Sequence, residues 1–152
     1  IDHLMAITDE DILKVAKTDT IANLLPSTSF FLNKEYAPAR KLIAAGAAVS
    51  VSSDYNPGST PSENFQLTLQ IAANKLRMLP NEILIAATIN PAFGLDIHTK
   101  VGSLEKGKIA DITLLNCKNL DYFFYHYGIN HTRSVFKNGK LVVENRNIVK
   151  GL

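Results

Sequence analysis

The residues whose types can do chemistry occur at two points of the sequence. Asp54 follows an apolar run at residues 47–53, and the polar turn Asn56-Pro57-Gly58-Ser59 comes just after it. His3 follows the apolar start of the chain. An aspartate and a histidine at one end of a sheet can form an acid/base pair or help to bind a metal. Asp54 also has a plain structural use, since aspartate caps turns and helices.

The other reactive side chains give weaker signals. His98 lies in a predicted loop, and His126 and His131 lie among aromatic and polar residues, which favours packing or hydrogen bonding. Cys117 has no adjacent histidine and is expected to be an inert strand residue. The sequence has no His-x-His, Cys-x-x-Cys, His-Glu-x-x-His or phosphate-loop pattern. The residues alone predict an α/β protein with a polar pocket.

The elements that must position these residues alternate between helix and strand. The pattern predicts, in order, a helix capped by Thr8, a strand at residues 20–25, an exit loop at 27–31, a helix from Pro38 to Gly46, and a strand at 47–53. Such alternation with short connections is typical of parallel βα units, whose strands are buried between helices or in a barrel.

The second half of the chain changes from helical to antiparallel. Helices are predicted at residues 62–78 and from Pro80, with a break at Asn90-Pro91. Strands are predicted at residues 110–116, 132–137 and 140–144, and Asn138-Gly139 between the last two is a strong hairpin signal.

Composition sets the broad class. The 152 residues have the length of one ordinary domain, and 46% are hydrophobic. The net charge is +2 with scattered lysines and arginines, so nucleic-acid binding is not indicated. No apolar run could span a membrane, and one cysteine fits a reducing cytoplasm. The start at Ile1 lies inside what looks like a structural element, so we expect a piece of a longer protein.

Several motifs carry a resemblance to a known family. Asp2-His3-Leu4, the loop at residues 53–59 and Gly-Ser-Leu-Glu-Lys-Gly-Lys-Ile-Ala-Asp at 102–111 resemble the amidohydrolase superfamily. The last of these identifies the superfamily only. The Ser-Asp-Tyr-Asn-Pro-Gly-Ser loop is narrower and is similar to that of the imidazolonepropionase family of histidine degradation, as are residues 125–130 and 135–140. The resemblance runs along the whole chain and covers only the C-terminal part of a family member.

The resemblance implies the fold. It is the C-terminal portion of a metal-dependent hydrolase (β/α)8 TIM barrel, containing the last three strands, plus antiparallel β strands of a small composite β-sandwich domain. Residues 1–96 would belong to the barrel and residues 97–152 to the small domain and tail. The sixth strand would end at His3, the seventh would be residues 20–25 and the eighth residues 47–53.

The resemblance also implies the chemistry. The reaction would be hydrolysis of the cyclic amide of 4-imidazolone-5-propanoate to N-formimino-L-glutamate, with one divalent metal, zinc or iron. Asp54 would bind the metal and take a proton from the water that it activates. His3 would hydrogen-bond the scissile carbonyl or its developing oxyanion. Asn56, Gly58 and Ser59 would line the substrate pocket.

The family's other metal ligands and its clamp for the substrate carboxylate would lie before Ile1. Catalytic zinc takes three protein ligands and a water. We therefore expect the isolated chain to be inactive, to bind metal weakly and to expose open strand edges.

Two alternatives remain. One is another amidohydrolase, such as a deaminase or a different cyclic amidohydrolase, against which the loop Asn56-Pro57-Gly58-Ser59 argues. The other is a non-catalytic assembly module. An exposed apolar face on Ile21, Leu24, Val49 and Val51 would favour such self-association into a homo-oligomer. For an imidazolonepropionase or another amidohydrolase, the expected partner is a small-molecule substrate.

Overall fold

The computed structural model describes residues 1–149. Its elements follow one another in this order: α1 (Asp9–Val15), β1 (Ala22–Leu24), α2 (Pro26–Phe31), α3 (Ala39–Ala44), β2 (Val49–Val51), α4 (Phe65–Lys75), α5 (Pro80–Ala87), α6 (Ile89–Gly94), β3 (Ile112–Leu115), α7 (Leu120–Tyr125), β4 (Thr132–Lys137), β5 (Lys140–Glu144) and β6 (Asn147–Ile148). The first part alternates helix and strand, as the sequence predicts. Within residues 1–149 there is no helix with the length and apolar character needed to cross a membrane.

The strands of the first part lie side by side and run in parallel. β1 pairs with β2, with Leu24 opposite Val51. On the other side of β1, Asp2 forms a parallel bridge to Asn23, and the His3 backbone N–H donates to the Asn23 carbonyl at 3.0 Å. Three parallel segments therefore end on the same side of the molecule.

The apolar side of these strands is the core of the chain. Leu24, Val49 and Val51 are buried, and they belong to one cluster with Leu42 of α3 and Ile83 of α5. Burying a side chain of this size contributes about 1.5–3 kcal/mol. The exposed face on Ile21, Leu24, Val49 and Val51 that self-association would need is not found within residues 1–149, because helices of the same chain cover it and only Ile21 of the four is half-buried. The assembly-module alternative loses that support.

The helix starts confirm most of the local predictions. Thr8 caps α1 by accepting from the Asp11 backbone N–H at 3.2 Å. Gly46 follows α3 with φ +91°, a conformation that favours glycine. The break predicted at Asn90-Pro91 falls at Thr88 instead, and both residues lie in the first turn of α6, where proline is tolerated.

The exit loop predicted at residues 27–31 is a helix. Pro26 begins α2 in the first turn, which suits its fixed φ. Ser27, Thr28 and Ser29 are buried there, although a run of Ser and Thr is typical of loops. Their hydroxyl groups have partners from other elements, such as Thr68 at 2.7 Å from Ser27, so tertiary contacts stabilise a helix that local preference does not predict.

The last part is a four-stranded antiparallel sheet in the order β3-β4-β5-β6. The hairpin prediction is confirmed, since β4 and β5 join at Asn138 and Gly139 with φ +51° and +76°. The sequence did not predict α7 or β6. Among the described strand residues of this sheet only Ser134 is buried, so the sheet adds little to the core.

Candidate active site

Asp54 lies three residues beyond β2, at the end where the parallel segments meet. Its φ is +53°, which Asp adopts more readily than most residues. Its Oδ2 accepts hydrogen bonds from Thr28 Oγ1 at 2.5 Å and from Ser59 Oγ at 3.1 Å. Its Oδ1 has no donor within residues 1–149. One carboxylate oxygen is therefore fixed by the protein, and the other remains available to a ligand.

The loop after Asp54 is built around the Asn56 side chain. Asn56 Nδ2 donates to the Asp54 carbonyl at 2.6 Å and to Ser59 Oγ at 2.7 Å. Asn56 Oδ1 accepts from the backbone N–H groups of Gly58 at 2.8 Å and Ser59 at 2.9 Å. A bridge between Asn56 and Thr60 closes the loop. These bonds use both donors and both acceptor positions of the amide, so Asn56 shapes the loop.

His3 ends the first parallel segment. Its φ is +69° and that of Leu4 is +62°, so the chain turns away sharply at this point. The His3 ring is half-buried and has no hydrogen-bond partner in the described part of the chain. In the register of the parallel segments His3 lies beside Leu24, and Leu24 lies beside Val51. The backbones of His3 and Val51 are therefore two strand spacings apart, about 10 Å. The structure thus brings His3 and Asp54 to one end of the parallel strands without a direct bond.

The residues described here do not complete a metal site. Within residues 1–149 no three His, Cys, Asp or Glu side chains come close enough together to hold an ion. The donor set fits a metal only in part, because Asp54 has a free oxygen of the type that zinc and iron accept. Asp54 could supply one ligand, and a metal bound there would need its other ligands from outside the described residues.

A polar ladder that sequence reasoning missed crosses the three parallel segments. Asn23 Nδ2 donates to Asp2 Oδ1 at 2.7 Å, while Asn23 Oδ1 accepts from Ser50 Oγ at 2.9 Å and Ser52 Oγ at 2.8 Å. Asn23 stands between the buried Ala22 and Leu24, so its side chain points to the other face. The alternation of apolar and polar residues was the available signal.

His126 and His131 make the packing and hydrogen-bonding contacts that the sequence favours for them. His131 is buried beside the Phe123 ring, and its Nε2 donates to the His126 carbonyl at 3.1 Å. The His126 ring stacks on Tyr122 with ring centroids 4.0 Å apart. The His98 ring packs against Phe93, with a buried Nδ1 that has no partner in residues 1–149.

Cys117 is a free thiol at the edge of the core. The prediction that it is a strand residue is wrong, because β3 ends at Leu115 and Cys117 lies in the bend before α7. Asn119 caps α7 by accepting from the Tyr122 backbone N–H at 2.8 Å, so the chain must leave the strand before that point.

Charged residues of the motif at residues 102–111 pair with one another and with strand β4. Lys108 Nζ donates to Ser103 Oγ at 2.5 Å and lies 3.3 Å from Glu105. The Ser103 hydroxyl, and then Lys108, lower the pKa of Glu105. Asp111 pairs with Lys137 of β4, which lowers the pKa of that carboxyl. These pairs hold the loop together and connect it to the antiparallel sheet.

A cavity of about 590 Å³ lies between α4 and α7, away from the residues of the candidate active site. Phe30, Gln70, Tyr125 and Tyr127 line it. Neither Asp54 nor His3 borders it. Its position separates it from the ends of the parallel strands.

Several curated proteins with similar sequences are named imidazolonepropionase. An imidazolonepropionase from Fusobacterium nucleatum is 54% identical over 93% of this chain and 34% of its own length. An imidazolonepropionase from Treponema denticola is 47% identical over 97% of this chain and 36% of its own length. The chain thus spans about a third of the length of the curated relatives it matches.

Solved structures show the same fold. An adenosine deaminase from Xanthomonas campestris with bound zinc matches 99% of this chain with a TM-score of 0.88 at 20% identity, over 38% of its own length. Atrazine chlorohydrolase from Arthrobacter aurescens, complexed with zinc, gives a TM-score of 0.84 at 22% identity, over 99% of this chain and 37% of its own. The sequence model of the amidohydrolase family matches residues 1–142. This chain, an α/β piece of a hydrolase fold, therefore belongs to the amidohydrolase family.

Proposed function

We propose that the protein containing this chain is an imidazolonepropionase. It would hydrolyse the cyclic amide of 4-imidazolone-5-propanoate to N-formimino-L-glutamate, a step of histidine degradation. The observation that carries the proposal is the identity of 54% and 47% to relatives of that name over nearly all of this chain. The structural neighbours, at 20% and 22% identity, support the fold without favouring a deaminase or a triazine hydrolase.

The three parallel segments would be the last three strands of a (β/α)8 barrel. Residues 1–96 would complete that barrel with strands from elsewhere in the protein, and residues 97–152 would join a small β domain. Residues 150–152 of that range lie outside the described part of the chain. The order of residues 1–3, β1 and β2, all parallel, supports this arrangement. In such barrels the active site lies at the carboxyl ends of the strands, where His3 and Asp54 are found.

A divalent metal, zinc or iron, would supply hydroxide near neutral pH when bound. Asp54 would hold it through Oδ1, because Oδ2 is already bound to Thr28 and Ser59. Asp54 would also accept a proton from the attacking water. His3, whose ring has no partner in the described part of the chain, would donate a hydrogen bond to the carbonyl oxygen as charge develops on it.

The atoms of the ring-opening step balance with water as the only co-reactant. Oxygen from water bonds to the carbonyl carbon, and the bond from that carbon to the ring nitrogen breaks. The proton that Asp54 received would pass to the leaving nitrogen. One water is consumed, and no redox partner is needed.

Asn56, Gly58 and Ser59 would line the substrate pocket beside this carboxylate. The loop holds Ser59 Oγ within 3.1 Å of Asp54, so a substrate group bound at Ser59 would lie next to the reacting carbonyl. A Cβ added at Gly58 would approach Asn56 Oδ1 to 3.3 Å, so the loop favours glycine there. The free thiol of Cys117 is suited to the reducing cytoplasm, where we place the enzyme.

Turnover by the complete gene product tests the proposal. The protein expressed from the whole reading frame, loaded with zinc or iron, should consume 4-imidazolone-5-propanoate and release N-formimino-L-glutamate, identified by mass spectrometry. Adenosine, guanine and a triazine serve as control substrates, with an expected kcat/KM at least about 100-fold lower. Ammonia release from the nucleobase substrates without imidazolone turnover would overturn the assignment.

The 152-residue chain by itself provides a second test. We expect no activity and weak zinc binding, because Asp54 is the only ligand of the proposed set in this chain. Zinc-dependent turnover by the isolated chain would contradict that expectation.

A further inference from the structure

We propose that Thr28 and Thr60 are positioning residues that orient the Asp54 carboxylate, an inference that rests on the proposed function. Thr60 Oγ1 lies 3.0 Å from Thr28 Oγ1, which lies 2.5 Å from Asp54 Oδ2. We call Thr60 and Thr28 the threonine relay. Neither residue would touch substrate or metal, and both would act through Asp54.

The direction of the hydrogen bonds in the relay follows from the groups involved. A carboxylate only accepts hydrogen bonds, and a hydroxyl has one proton to donate. Thr28 must therefore give its proton to Asp54 Oδ2, which leaves Thr60 to donate to Thr28. Each hydroxyl then has a defined orientation, and hydrogen bonds to a charged group are the stronger kind.

Burial fixes this geometry. Thr28 is 4% exposed and Thr60 is 2% exposed, so water does not compete for their hydroxyl groups. Buried polar groups without partners are strongly disfavoured, and the relay is the arrangement that satisfies both hydroxyls. Without Thr28, Asp54 Oδ2 would keep only the longer hydrogen bond from Ser59 Oγ, at 3.1 Å.

The relay connects two different strand ends. Thr28 lies in α2, which begins two residues after β1, and Thr60 lies in the loop after β2. Backbone hydrogen bonds to Asn56 hold Thr60 in place at 3.2 and 3.3 Å. The position of Oδ2 is therefore set by both βα connections, and Oδ1 is turned to the side where it has no donor in residues 1–149.

The neighbouring residues offer a matched control. Ser27 and Thr68 form another buried hydroxyl pair, at 2.7 Å, and neither bonds to Asp54. Thr68 is 2% exposed, like Thr60. Removing the Thr68 hydroxyl should therefore affect folding much as removal of the Thr60 hydroxyl does, without disturbing the carboxylate.

The test compares Thr28→Val, Thr60→Val, Thr68→Val and Thr28→Ser in the complete metal-loaded enzyme. Outer-shell partners of metal ligands typically contribute about 10–100-fold to metal affinity or activity. We expect Thr28→Val to lower both kcat and zinc affinity by a factor in that range, with KM nearly unchanged. Zinc affinity is measured by adding zinc to the metal-free protein in competition with a chelator. Thr60→Val should have a smaller effect of the same kind, because Thr28 keeps its bond to Asp54.

The controls decide between positioning and folding. Thr28→Ser keeps the hydroxyl group, so its kcat and zinc affinity should be close to those of the unmodified protein. Thr68→Val should lower the thermal midpoint and leave kcat and zinc affinity unchanged. Equal zinc affinity in Thr28→Val and Thr68→Val would overturn the relay. If Thr28→Val does not fold, an unchanged zinc affinity in Thr60→Val overturns it equally. Zinc affinity does not depend on the substrate, so failure of the imidazolonepropionase assignment would leave this result interpretable.

Discussion

The parallel strands and the antiparallel sheet of this chain use their polar residues in opposite ways. At the ends of the parallel strands, the His3 ring and Asp54 Oδ1 have no partner within residues 1–149. In the loop that leads to the antiparallel sheet, Lys108 is paired with Glu105, and Asp111 is paired with Lys137. The first region leaves these two groups unpaired within residues 1–149, whereas the second pairs these four charged side chains with one another.

The difference separates the longest sequence motif from the proposed active site. The segment at residues 102–111 is the more extended sequence signature, yet its charged groups stabilise one another and the hairpin. The residues that we assign to chemistry come from short segments with little local pattern. The proposed active site therefore rests on unused hydrogen-bonding capacity at converging strand ends and not on the length of a motif.

The largest expected contrast is between two aspartates, one from each region. Asp54→Asn removes the proton acceptor and a charged ligand oxygen, so kcat/KM of the complete enzyme should fall by at least about 10³-fold. Asp111→Asn should leave kcat/KM within about threefold, because Asp111 is engaged with Lys137. Steady-state kinetics at saturating metal check both. Similar losses in the two variants would remove the functional distinction between the regions.

A second contrast compares two histidines. His3→Phe should lower kcat by about 10²-fold, since it removes one donor to the developing oxyanion. His126→Phe preserves an aromatic ring for stacking on Tyr122 and should retain most activity. Single-turnover measurements at fixed metal content give both values. Full activity in His3→Phe would show that the unpartnered ring has no part in the reaction.

The third contrast concerns stability. Leu24 is fully buried in the parallel region, so Leu24→Ala should lower the free energy of unfolding by about 2–5 kcal/mol. Leu114 of the antiparallel sheet is 46% exposed, and Leu114→Ala should cost less than about 1 kcal/mol. Urea denaturation of the complete protein measures the pair. A comparable loss for Leu114→Ala would mean that its sheet is covered in the complete protein.

Local chemistry explains how much of the fold could be predicted. The cap at Thr8, the turn at Asn138-Gly139 and the alternation of strands with helices depend on neighbouring residues, and the structure confirms them. Helix α2 could not be predicted in this way, because the buried hydroxyl groups of Ser27 and Thr28 are satisfied by residues about 25 to 40 positions away. Their long-range partners override the local preference for a loop.

The candidate site was predicted in part for the same reason. Asp54 and the loop up to Ser59 stand out because a strand-like run is followed by turn residues. The relay and the ladder at Asn23 do not, since they join side chains from different strand ends. No spacing rule connects such residues until the parallel register is known.

The smallest expected effect is a dependence of stability on pH at Asp111, beside the antiparallel sheet. Lys137, followed by the backbone N–H of Asn138, lowers the pKa of Asp111. A carboxyl with a lowered folded pKa stabilises the protein above its unfolded pKa, about 3.9, and this contribution is lost as the pH falls through the folded value. Asp111→Asn should therefore reduce the urea midpoint slightly at pH 7 and by a smaller amount at pH 3, which lies below the unfolded pKa. Lys137→Met added to Asp111→Asn should change little more. An effect of Asp111→Asn that is equal at the two pH values would show that the ion pair does not stabilise the hairpin.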